Sequence, residues 1–87
     1  MIKLKNIDLS TITIEKQYLK VSEEDFEYHT ALHNFIGGED TKEHVIEEFW
    51  DLVQAELGIL QKRGITADEV MAGYPKHLEK LKYRPRD

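Results

Sequence analysis

The sequence contains no cysteine. Disulfides and thiolate chemistry are therefore excluded. It also lacks an apolar run long enough to span a bilayer and a secretory signal pattern. No membrane partner and a cytoplasmic setting are the expectations. Positive charge is in deficit: 17 acidic against 12 basic residues give a net charge of −5. That balance argues against a DNA or RNA duplex as partner, because such binding draws on a basic surface. No internal repeat and no low-complexity segment occurs. The two prolines, Pro75 and Pro85, both fall near the C-terminal end. There they mark an interrupted helix and a frayed tail.

What is present is a short, charged, globular composition. The 87 residues suffice for one domain, 1–87. Hydrophobic residues at 40% beside 33% charged ones fit a folded chain rather than a disordered one. A domain of this size buries a modest share of its surface, so self-association is a natural supplement. The charge is uneven. Acids concentrate between residues 23 and 56. The end, Pro75 to Asp87, carries Lys76, Lys80, Lys82, Arg84 and Arg86 against Glu79 and Asp87. An acidic centre beside a basic tail suits a metal with a polyanionic ligand; a solvated charged terminus is the plainer reading of the tail alone.

The apolar spacing predicts an all-α fold. In residues 1–12, Ile2 and Leu4 alternate with lysines, which reads as a short N-terminal arm or strand. A helix is expected from about 14 to 36 through Tyr18, Val21, Tyr28, Leu32 and Phe35, with Thr13 as cap. Ser22 with Asp25 offers a second possible start. Gly37-Gly38 ends this helix. Asp40 with Glu43 reads as a capping box for the next helix, about Thr41 to Arg63, whose stripe is Val45, Ile46, Phe49, Leu52, Val53, Leu57 and Leu60. Gly64 ends it. Thr66 with Glu69 starts a last helix, which Pro75 kinks or interrupts. The expected architecture is an antiparallel helical hairpin plus a C-terminal helix, with residues 83–87 as a frayed tail and the bundle completed by oligomerisation.

Two acidic pairs sit on the predicted hairpin: Glu24 with Glu27, and Glu48 with Asp51. Residues three apart share a helical face, and like charges there repel. The first pair lies about 13 to 14 residues before the turn and the second about 10 to 11 after it, a mismatch of roughly 4.5 Å at the helical rise. The pairs thus stand at similar height, each beside an apolar stripe. Facing one another, they would need a hard divalent cation between them, and clustered carboxylate oxygens suit Mg²⁺. The alternative is that they are ordinary surface charges.

The longer pattern is Glu23-Glu24-Asp25-Phe26-Glu27, a spacer, then Glu48-Phe49-Trp50-Asp51. It resembles the MazG-like all-α nucleoside triphosphate pyrophosphohydrolases. Gln17 to Ser22 resembles that family's Gln-x-x-Lys-Leu lead. Ala31 falls at a small packing position. Gly64 to Val70 resembles the turn into its last helix, and His77 to Pro85 its basic end. The resemblance implies Mg²⁺-dependent hydrolysis of an NTP or dNTP to the monophosphate and pyrophosphate, with Mn²⁺ as a possible substitute ion. Glu24, Glu27, Glu48 and Asp51 would hold metal, and Glu23 or one of the four would take a proton from water. Lys80, with Lys76, Lys82 and Arg84, would contact phosphate. A dimer or tetramer is implied, with sites near the subunit interface. The chain departs from the pattern at Phe26, where a small residue is usual, and at Leu81, where asparagine is common; the absence of a leading helix seen in many relatives is a further expectation. A catalytically silent nucleotide-binding or protein-interaction helical module is the alternative.

Three further residues are candidates by type. Trp50 could stack on a base, with core or interface packing as its alternative. His29 and His33, four apart, have the spacing for a transition metal, although surface or packing roles are the commoner use of such a pair.

Overall fold

A computed structural model describes residues 2–83, which fold into four helices: α1 (Ile14–Ile36), α2 (Lys42–Lys62), α3 (Ala67–Ala72) and α4 (Tyr74–Lys82). Residues 84–87, including the expected phosphate ligand Arg84, lie outside the described residues. Residues 2–13 contain neither helix nor strand.

Local chemistry sets the helix ends. The Thr13 hydroxyl accepts from the Lys16 N–H and opens α1, which runs uninterrupted past Ser22 and Asp25. Gly37 caps α1, and Gly38 turns the chain with φ of 85°, a conformation that costs a side-chain-bearing residue more than glycine. The expected Asp40–Glu43 box does not form. Thr41 caps α2 instead, accepting from the His44 N–H at 3.1 Å, and this releases the Asp40 carboxylate for other contacts. Gly64, with φ of 84°, follows α2. The Thr66–Glu69 capping box forms in both directions and starts α3. At Gly73 the chain breaks, and Pro75 sits in the first turn of α4, where its missing N–H does no harm.

The hairpin α1–α2 is the main packing unit. It closes at small residues: Ala31, Ala55 and Gly58 are all buried. The Gln17 side chain, itself buried, lies over Gly58 and donates to the Ala55 carbonyl at 3.0 Å. A Cβ at Gly58 would come within 2.9 Å of Gln17 Cδ. The Tyr28 and Phe49 rings meet edge to face at 5.7 Å across the pair.

The other side of α2 is covered by the N-terminal segment. Gln54, Leu57 and Gln61 share one helical face. Gln54 donates to the Lys5 carbonyl at 3.2 Å, and the Gln61 amide both donates to and accepts from the Ile7 backbone. Lys62 reaches the Leu9 carbonyl at 3.2 Å, and Asn6 accepts the Ala67 N–H at 2.9 Å, tying the segment to α3. Leu9, Leu57 and Ala67 are buried. α2 is therefore the central element, and α4 packs on α3 alone among the larger helix contacts.

The Gln17–Gly58 contact is testable. Gly-to-Ala inside a helix normally gains about 1 kcal/mol. Here overpacking should win, and Gly58→Ala is expected to lower stability by about 1–3 kcal/mol in urea denaturation. A raised midpoint would mean that Gln17 swings away at little cost.

Candidate metal centre

Glu24 and Glu27 stand on one face of α1, and Glu48 faces them from α2. One oxygen from each lies within 4.8 Å of the others. Glu24 is only 5% exposed, Glu48 is half-buried and Glu27 is open to solvent. The packing that closes the hairpin thus drives carboxylates together, against their mutual repulsion.

Each of the two more buried acids has one oxygen engaged and one left over. Lys20 Nζ lies 2.7 Å from Glu24 Oε1, and His44 Nε2 lies 3.2 Å from Glu48 Oε1. Glu24 Oε2 and Glu48 Oε2 are buried and accept no hydrogen bond among the described residues. Leaving a buried acceptor without a donor costs about 1–3 kcal/mol, more when it is charged. A divalent cation bound by oxygens removes that cost, and Mg²⁺ or Mn²⁺ suits such a donor set.

Charge in the centre shifts nearby protons. The Glu27 carboxyl is raised above the ordinary range, first by partial desolvation at the helix pair and then by repulsion from Glu24, Glu48 and Glu23. The His44 imidazole is also raised, first by its hydrogen bond to Asp40 and then by the charges of Asp40 and Glu48. Its Nδ1 lies 2.7 Å from Asp40 Oδ2. An ionised carboxylate accepts only, so bonding to one on each side requires both ring nitrogens to carry protons. Asp40 is lowered by that bond and by the Thr41 N–H. The result is a chain Asp40–His44–Glu48 leading into the carboxylate cluster.

A groove of about 200 Å³ runs from the cluster toward the hairpin turn. Phe26, Glu27, Thr30, Asn34, His44 and Glu48 line it. The Phe26 ring is 73% exposed at its edge, so it does not wedge the helices apart.

The other candidates stand elsewhere. Glu23 is exposed and outside the triad. Asp51 is also exposed and outside it; it stands about 60° around α2 from Glu48, on the same broad face but at the solvent side of it. Trp50 lines a second groove with Ile2 and Leu4 of the N-terminal segment and Val53, and its ring meets Phe49 at 5.4 Å. Lys76, Lys80 and Lys82 are exposed on α4, and Lys82 faces Glu79 at 3.5 Å. His29 bonds to its own helix, at 2.9 Å from the Asp25 carbonyl, and joins no carboxylate cluster. His33 is exposed. Leu81 is half-buried.

Lys20, Asp40 and His44 were not singled out by the sequence reading of the site. Their signal was present as charge spacing: Lys20 to Glu24, Asp40 to His44 and His44 to Glu48 are each four apart, the distance at which helix neighbours pair.

Two predictions follow from this geometry. His44 should titrate above 6.5 in an NMR pH series, and Asp40→Asn should move it back toward that value. For stability, a raised histidine contributes fully below its ordinary value and loses the contribution as pH rises through the folded value. A lowered aspartate contributes above its ordinary value and loses it as pH falls. The link is therefore at full strength between 3.8 and 6.5. In a second test, Glu24→Gln should stabilise the cation-free protein by about 1 kcal/mol, because an amide N–H supplies the missing donor among the carboxylates. The same change should remove divalent-cation binding in calorimetry. A variant that melts lower yet keeps cation affinity would contradict the metal assignment.

Compared with known proteins, the chain matches no family model, no curated protein and no solved structure.

Proposed function

We propose that Glu24, Glu27 and Glu48 hold a divalent cation, Mg²⁺ by their oxygen chemistry. We further propose that the protein hydrolyses a nucleoside triphosphate, NTP or dNTP, to the monophosphate and pyrophosphate. The observation that carries the metal is the pair of buried, donorless oxygens, Glu24 Oε2 and Glu48 Oε2, in a cluster spanning 4.8 Å. The nucleotide and the reaction rest on the Glu-Glu-x-x-Glu and Glu-x-x-Asp pattern and its flanks.

Bound there, the ion would neutralise phosphate charge, orient the triphosphate and make its water more acidic. The chain's own residues divide the remaining work. Glu24 and Glu48, fixed by packing, hold position. Glu23 and Asp51, outside the triad, are carboxylates available to accept the water's proton. The lysines of α4 stand away from the triad, and their assignment to phosphate oxygens rests on the resemblance of His77 to Pro85 alone.

Self-association belongs to this reading. A compact chain of 10.2 kDa is expected to expose about 5,300 Å². This one exposes 7048 Å², and no large side chain is fully buried among the described residues. Tyr18, Leu19, Ile36 and Ile46 are more than half or half exposed on the hairpin. A second copy covering these residues would complete the bundle and bring further charged helices to the cleft.

A second reading is favoured by Asp51 standing outside the triad. In it, the protein is a helical module that binds cation and nucleotide, or a protein partner, without turnover.

The deciding experiment is pyrophosphate release from a panel of NTPs and dNTPs with and without Mg²⁺. Turnover by the wild type, lost in Glu48→Gln, is expected. Mg²⁺ with nucleotide at 100 times its dissociation constant should add about 2.7 kcal/mol, on the order of 10 °C in melting temperature for a domain this small. Stabilisation without turnover would select the silent module. Neither effect would sink both readings.

A further inference from the structure

Glu24 and Glu48 are held in matching ways. Each is half or more buried, and each has Oε1 engaged by a side-chain nitrogen from four residues earlier on its own helix: Lys20 Nζ for Glu24 at 2.7 Å, His44 Nε2 for Glu48 at 3.2 Å. Each also keeps Oε2 buried and without a donor. Glu27, the third member, is exposed and has no such partner among the described residues. His44 is itself held from behind, with Nδ1 2.7 Å from the Asp40 carboxylate, which also takes the Thr41 N–H at 2.7 Å at the start of α2.

We propose that Lys20 and His44 are positioning residues of the cation site: each clamps one oxygen of a buried carboxylate so that the other oxygen is presented, preorganised, to a divalent cation. This rests on the metal centre proposed above. The geometry assigns a division of labour. A free glutamate has three side-chain torsions to fix when it binds an ion. A glutamate whose Oε1 is already tied has fewer, and less freedom is lost on binding. Outer partners that orient metal ligands act in this way in general, and their removal weakens metal affinity about 10-fold to 100-fold. On the α2 side the clamp is two links long, Asp40 to His44 to Glu48, and it is anchored on the turn that joins the two helices.

A bland reading competes with this one. Lys20 and His44 could simply neutralise the acids until an ion arrives. The two readings predict opposite signs. If the cationic groups only compete with the ion, removing them takes away positive charge beside the site, and cation affinity rises. If they clamp, affinity falls even though local positive charge has been lost.

The test is calorimetric titration of the full chain with Mn²⁺ and with Mg²⁺, for wild type, Lys20→Met, His44→Leu and the double variant. Each single variant is expected to bind about 10-fold more weakly, and the double variant weaker still, up to about 100-fold. Lys20→Arg and His44→Gln, which keep an N–H donor at the position, should recover most of the loss. Melting of the cation-free proteins separates positioning from folding. Glu24 is only 7% exposed at its side chain, so Lys20→Met should also lower the cation-free melting temperature, and Lys20→Arg, which keeps the donor, should restore it. Should His44→Leu fail to fold, Asp40→Asn removes the same clamp from behind and is expected to weaken cation binding. Unchanged or tighter binding in Lys20→Met and in the His44 or Asp40 variant would overturn the clamps and leave the metal centre standing. A wild type that binds neither ion would overturn the metal centre and the clamps together. Because the readout is cation affinity, absence of nucleotide turnover alone leaves the inference intact.

Discussion

Carboxylates pressed together between two helices are the constraint on which the rest of this structure turns. Glu24, Glu27 and Glu48 repel one another, and two of their oxygens are sealed from water without a donor. Nothing in the apolar packing compensates for that locally, since the core at this level consists of small residues and ring edges. The cost is carried by the fold as a whole. Natural sequences break local rules mainly at functional or strained sites, and here the broken rule and the chemically useful cluster coincide.

The close approach of α1 and α2 makes the cluster possible. Ala31, Ala55 and Gly58 let the two backbones come near, and Gln17 laid over Gly58 fixes their relative rotation. That rotation decides which acids face inward. It places Glu48 opposite Glu24 and Glu27 and leaves Asp51 on the solvent side. The N-terminal segment braces the opposite side of α2 through the Gln54 and Gln61 amides, so α2 is held from two directions. A carboxylate cluster drawn from both helices takes its geometry from this arrangement.

Helix boundaries were legible in the sequence because they depend on neighbours along the chain. Thr13, the glycines at 37–38 and 64, the Thr66–Glu69 box and Pro75 all act within one turn, and they fall where the spacing predicts. The height match of the two acidic motifs was legible for the same reason, since it needs only the helical rise and the position of the turn. What required the third dimension was rotation. Periodicity placed both acidic pairs beside apolar stripes but could not decide which member of the second pair turns inward. It also could not show that Trp50 shares a groove with the N-terminal segment, because that groove joins residues far apart in the chain. The Asp40 capping role failed on a local competition: Thr41 caps the helix, and Asp40 is taken by His44.

Phe26 is the position at which this chain departs most from the pattern it resembles, and its placement gives the departure a physical meaning. A large ring inside the first acidic motif would be expected to crowd the helix pair. Instead it is turned outward, 73% exposed, at the rim of the groove that leads away from Glu27 and Glu48. The hairpin therefore closes without accommodating it, and the ring changes the approach to the cluster rather than the cluster itself. Exposing so much apolar surface beside a charged groove is unfavourable in water for an isolated chain. That surface stands open beside the acids of the groove. The carboxylates fix where an ion can sit; Phe26, on the same groove, bears on what can come in beside it.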